Sequence, residues 1–138
     1  MNYFSPRNAI LVLSTALTAV AVPAYAGDGP FNSVYVAANR SQYTGRGCPI
    51  GIIYTGNINF VSPHPRGLVF NYHWERSDGA KGPEHVVRPS PNQHSLVVRE
   101  NWRIGAAGKH YDASATLFVN SGNTHIAQPS PTVSVTCR

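Results

Sequence analysis

Between Gly67 and Gly79 the chain reads Gly-Leu-Val-Phe-Asn-Tyr-His-Trp-Glu-Arg-Ser-Asp-Gly. Leu68, Phe70, Tyr72 and Trp74 fall at every second position, with Val69, Asn71, His73 and Glu75 between them. A period of two puts one set on each side of an extended strand, so one face is heavy and aromatic and the other mostly polar. Such a strand is stable only when a second layer covers its aromatic face. Asp78-Gly79 supplies a turn to end it.

The rest of the chain offers further short strands and no helical stripe to serve as that layer. Asn32 to Ala38 alternates Val34 and Val36 against Ser33, Tyr35 and Ala37, and is expected to be a first, edge strand. Ile50 to Val61 carries Ile52, Tyr54, Ile58 and Phe60 on one parity, with Gly56 marking a bulge or kink. Glu84 to Arg88 is a short strand. Gln93 to Ile104 sets Leu96, Val98, Trp102 and Ile104 on one side, with Glu100 out of place among them as a sign of a bulge or of departure from the core. Lys109 to Asn120 points Tyr111, Ala113, Ala115, Leu117 and Val119 inward, and Thr132 to Arg138 does the same with Val133, Val135 and Cys137. With the Trp74 strand these make seven, and they predict an all-β, seven-stranded antiparallel sandwich. Asn39 to Gly47, Ser62 to Arg66, Asp78 to Pro83, Pro89 to Asn92 and Gly105 to Gly108 are read as connections, because they collect the prolines, glycines and polar residues.

The first 26 residues are expected to lie outside this fold. Arg7 precedes an apolar run from Ala9 to Val22, and Ala24-Tyr25-Ala26 has the form of a signal-peptidase site. The run falls short of the roughly 20 apolar residues that span a bilayer, so no transmembrane segment is expected once the signal is removed. Gly27 to Arg138 then forms one exported domain, periplasmic or extracellular. In an oxidising compartment its two cysteines, Cys48 and Cys137, are expected to form one disulfide, since no C-x-x-C arrangement suggests a redox pair. The formal net charge of the whole chain is +5, and the basic residues are scattered singly, which excludes a focused nucleic-acid patch.

With Cys48 opening the second strand, Trp74 in the third, Tyr111 in the sixth and Cys137 in the last, the chain resembles immunoglobulin-like and fibronectin-III-like β-sandwich domains of exported bacterial proteins. It departs from antibody domains in that its bridge would join the second strand to the last rather than to the sixth. The resemblance implies a binding, adhesive or structural module and no reaction. A second resemblance, to fimbrial subunits assembled by strand donation, rests on export, strand content and a single disulfide. It implies a self-assembling filament subunit, associating here through the edge strand Asn32 to Ala38.

Site chemistry in the sequence is sparse. No G-x-S-x-G motif, paired-carboxylate pattern or phosphate loop is present, so no catalysis and no cofactor are expected; an envelope enzyme inhibitor or small enzyme is the remaining alternative. Of the six histidines, His85 and His94 flank Pro89 to Asn92 and are the metal candidates if that segment closes a hairpin, but two ligands fall short of a zinc site and none is expected. Trp74, Trp102, Tyr72 and Phe70 are the expected core anchors. Tyr35, Arg40, Tyr43, Arg46, His64 and Arg66, on outward parity or in loops, form the expected surface for a protein or glycan partner.

Overall fold

The computed structural model describes residues 25–61, 63 and 67–138. Most of the expected signal segment, and with it His64 and Arg66, lies outside the described residues. The remainder forms an all-β sandwich built from β1 (Tyr25–Asp28), β2 (Phe31–Ala38), β3 (Gln42–Gly45), β4 (Ile50–Phe60), β5 (Phe70–Arg76), β6 (His85–Val87), β7 (Ser95–Ile104), β8 (His110–Ala113), β9 (Ala115–Ser121), β10 (Thr124–Pro129) and β11 (Val133–Cys137). One sheet has the order β1-β2-β4-β7, a second β10-β9-β5-β6, and a third β3-β11-β8.

Several expectations need correction. The described residues form eleven strands rather than seven. β3 falls within the expected Asn39 to Gly47 connection; its four polar or half-exposed residues have no apolar signature, and its partner β11 lies far along the chain. β10 escapes notice because one of its inward positions is Gln128, buried to 4% exposure, and the strand ends in a proline. The run from Lys109 to Asn120 divides at Ser114 into β8, which pairs with β11, and β9, which pairs with β5 and β10. The fold is not wholly antiparallel, since β3 and β11 run parallel. Finally, β2 is not an edge strand here: β1 pairs along its outer side, with Ala26 opposite Ser33 and Tyr25 opposite Val34.

The inward faces of the sheets share one apolar core that includes Phe31, Val34, Tyr54, Phe60, Phe70, Trp74, Trp102, Leu117, Ile126 and Val135. Tyr72 is half-buried at its margin and stacks on His85, ring centroids 4.8 Å apart. Phe31 meets Phe70 edge-on at 5.4 Å, the arrangement that the quadrupoles of two rings favour. Gly56 sits in regular register between Val36 and Val98, so it marks no bulge. Its role is space: a Cβ there would stand 2.6 Å from Leu117 Cδ2 and 3.0 Å from Val98 Cγ2, with the Trp74 ring just beyond.

Glu100 likewise holds its register, opposite Tyr54, and points inward as its parity requires. Its partner crosses over from the facing sheet. Arg76 on β5 donates from Nε (2.9 Å) and Nη2 (2.6 Å) to Glu100 Oε1, and from Nη2 to the carbonyl of Asn101 at 3.0 Å, while its guanidinium lies over the Trp102 ring. One arginine thereby ties the two sheets together and occupies a carbonyl on the margin of β7. An inward charge on an edge strand discourages pairing with another chain.

At the far end of the core the Cys48–Cys137 disulfide joins the approach to β4 to the last strand, across 89 residues of sequence and a Cα separation of 6.0 Å. Gly105, at the end of β7, covers it: the backbone φ is +121°, and a Cβ would stand 2.7 Å from Cys137 Sγ. The peptide bond preceding Pro49 is cis.

Candidate functional site

With the inward faces committed to the core, binding chemistry must come from the outward faces and the loops. On the first sheet the register places Tyr35, Asn57 and Val97 in one row across β2, β4 and β7, and Ala37, Thr55 and Arg99 in the next. Beyond these come Ile53 beside Asn101 and Gly51 beside Arg103. Tyr35, Ile53 and Val97 are 42%, 39% and 47% exposed. These three strands place two arginines and no carboxylate on this face, since Glu100 turns inward. The amides Asn57, Asn59 and Asn101 fill the spaces between, with Asn59 Nδ2 donating to Ser33 Oγ at 2.9 Å. Arg103 Nη2 reaches the Pro49 carbonyl at 3.4 Å.

The outward face of the second sheet is different in kind. Glu75 accepts from Lys81 Nζ at 2.9 Å and lies 3.6 Å from His73 Nε2. The hydrogen bond from Lys81 is the main reason its carboxyl titrates below the usual range. The His73 ring stacks flat on Phe118 at 4.8 Å. At the end of this face Val86, Asn71, Asn120 and His125 stand in one row across β6, β5, β9 and β10. They line an open cleft of about 340 Å³.

The described residues of the expected partner surface, Tyr35, Arg40, Tyr43 and Arg46, lie on different elements. Tyr35 lies mid-strand on the first sheet, whereas Arg40 and Arg46 flank β3 near the end of the sandwich. Arg40 lies over the Tyr43 ring, 5.8 Å from its centroid, and the Tyr43 hydroxyl accepts from the Gly47 amide. Tyr43 is thus half-buried and engaged in holding its own loop. Ile53, Val97, Arg99 and Arg103 were missed in the sequence because each was read singly. Only the β2–β4–β7 register shows that Val97 shares the row of Tyr35, that Arg99 stands in the next, and that Ile53 and Arg103 continue the same face.

His85 and His94 do not face each other across a hairpin. His85 is on β6 in the second sheet, His94 precedes β7 in the first, and Pro89 to Asn92 carries the chain from one layer to the other. Among the described residues no three His, Cys, Asp or Glu side chains gather where they would hold a metal ion. No described helix is long and apolar enough to cross a membrane.

No protein-family model matches the chain, and no curated protein matches it. Among solved structures the chain is similar to the CARDB domain of a Pyrococcus furiosus protein, crystallised in complex with di-metal ions. The two share 15% sequence identity and a TM-score of 0.50, over 81% of this chain and 100% of that domain. The fold is a β-sandwich. At that identity the likeness speaks for the fold alone and for no particular family.

Proposed function

We propose that the protein is an exported, non-catalytic binding module that engages an acidic partner through the outward face of the β1-β2-β4-β7 sheet. The observation that carries this reading is the company of Tyr35, Ile53 and Val97: three exposed apolar side chains share a face with Arg99 and Arg103, and β2, β4 and β7 add no carboxylate to it. Apolar side chains supply contact area once water is displaced. The two arginines bind carboxylates and repel basic competitors. Export is supported by the leader-like first 26 residues and by the Cys48–Cys137 bridge, which persists in oxidising compartments. The CARDB likeness supports the β-sandwich fold on which this face is displayed. The di-metal ions of that structure find no counterpart cluster among the residues described here.

Retention on immobilised alginate, a uronic-acid polymer, tests the reading across a salt series. The protein is expected to bind at low ionic strength and to elute as screening grows, and Arg99→Ser with Arg103→Ser is expected to weaken retention at least about tenfold. No retention at low salt, or equal retention of the double variant, sinks it.

Self-assembly is a second reading with one specific observation behind it. The expected cleavage after Ala26 removes two of the four β1 residues, leaving the outer margin of β2 open for a strand from another copy. Sedimentation of the processed chain over a hundredfold concentration range decides it: a single monomeric species throughout retires the filament.

A further inference from the structure

The cleft at the end of the second sheet holds chemistry unlike that of the first. No Lys, Arg, Asp or Glu lines it. Its polar groups are two side-chain amides facing one another across the β5–β9 ladder, Asn71 and Asn120, with His125 opposite Asn120 on β10 and Ser121 beside them. Some of their hydrogen-bonding capacity is already committed. Ser121 Oγ donates to the Val69 carbonyl at 2.9 Å. Asn120 Oδ1 lies 2.7 Å from His125 Nδ1, so that nitrogen donates and Nε2 is left as an acceptor. Asn71 Oδ1, by contrast, is shielded from water and has no donor among the described residues. Each amide also carries an Nδ2 group able to donate.

From this arrangement we infer that the cleft is a second binding site, specific for a neutral, hydroxyl-rich ligand of the sugar class. A hydroxyl both donates and accepts, and so satisfies His125 Nε2 while taking a hydrogen bond from an adjacent amide. A carboxylate or phosphate only accepts, leaves His125 Nε2 unsatisfied and finds no Lys or Arg in the lining. Val86, 65% exposed at the β6 end of the row, offers the apolar contact that the C–H face of a sugar ring uses. Four strands span about 14 Å, long enough for more than one ring. The inference is independent of the face assigned to the acidic partner, which belongs to the other sheet.

The test is an amide and side-chain NMR titration of the disulfide-bonded protein with three neutral trisaccharides, maltotriose, cellotriose and N-acetylchitotriose, and, as a hydroxyl-free acidic control, tricarballylate. At least one neutral trisaccharide is expected to shift the Asn71 and Asn120 side-chain amides and the His125 ring at millimolar concentration, with tricarballylate leaving them unmoved. His125→Ala is expected to weaken that binding about three- to tenfold, the loss of one hydrogen bond. His125 is exposed, so this variant leaves the fold intact; Asn120→Ala is the second variant and is expected to weaken binding more. Arg99→Ser with Arg103→Ser is expected to leave binding unchanged. The inference is overturned if no neutral trisaccharide moves these signals, if the shifts map elsewhere, or if His125→Ala and Asn120→Ala both bind like the parent.

Discussion

Removing the disulfide is expected to cost this domain a large part of its stability. Cys48 and Cys137 are 89 residues apart, so the bridge closes almost the whole domain into one loop. On the chain-entropy argument a loop of that length removes roughly 4–5 kcal/mol of conformational freedom from the unfolded chain. The folded side of the balance adds little relief: β11 keeps its hydrogen bonds to β8 and β3, and Val133 and Val135 stay fully buried. Cys48→Ala with Cys137→Ala therefore acts mainly through the unfolded state. At roughly 4 °C per kcal/mol for a domain of this size, the melting temperature falls by about 16–20 °C. Urea titration of oxidised protein, reduced protein and the double variant measures the effect directly. The reduced and doubly substituted forms should agree, and both should show a steeper denaturant dependence as their unfolded chains expand. A double variant within about 1 kcal/mol of the parent, or reduced protein with an unchanged midpoint, refutes the reasoning.

Other perturbations probe separate parts of the fold. Gly56→Val forces a branched side chain against Leu117 and Val98, both on facing or neighbouring strands, and is expected to destabilise by about 1–3 kcal/mol or more in urea unfolding. Gly105→Ala places a Cβ against the disulfide sulfurs at a φ of +121°, so a lower midpoint is expected in oxidised protein. Tyr54→Phe is expected to be neutral or to stabilise by about 1–2 kcal/mol, because the fully buried Tyr54 hydroxyl has no hydrogen-bond partner. Burial pushes that phenol up to about 12, even though Arg76 nearby pulls the other way. The unfolded chain ionises at its ordinary value near 10 and the folded one does not, so stability falls as pH rises from about 10 to 12. The slope should be smaller in Tyr54→Phe.

Period-two patterning located the elements whose apolar face is continuous. β2, β4, β5, β7 and β11 all lie where the alternation of Val, Ile, Phe, Tyr and Trp placed them, and Asp78 and Gly79 form the expected turn, with the Ala80 amide bonded to Asp78 Oδ1. The pattern failed where a strand owes its existence to a distant partner. β3 is polar and is held by β11, while β10 carries a buried glutamine. Glu100 could not be interpreted from its own strand because Arg76, the residue that neutralises it, arrives from the opposite sheet. The same reason hid the surface. Tyr35 was legible as an outward aromatic, but its association with Val97 and Arg99 depends on inter-strand register, and the aligned pair Asn71 and Asn120 lies 49 positions apart in sequence.

The most direct test of the binding face is a chemical-shift map of the disulfide-bonded protein titrated with an alginate oligosaccharide. Salt-sensitive shifts are expected, concentrated at Tyr35, Thr55, Val97, Arg99 and Arg103. Shifts confined to Arg40, Arg46 and the β3 end, or none at low ionic strength, would contradict that expectation.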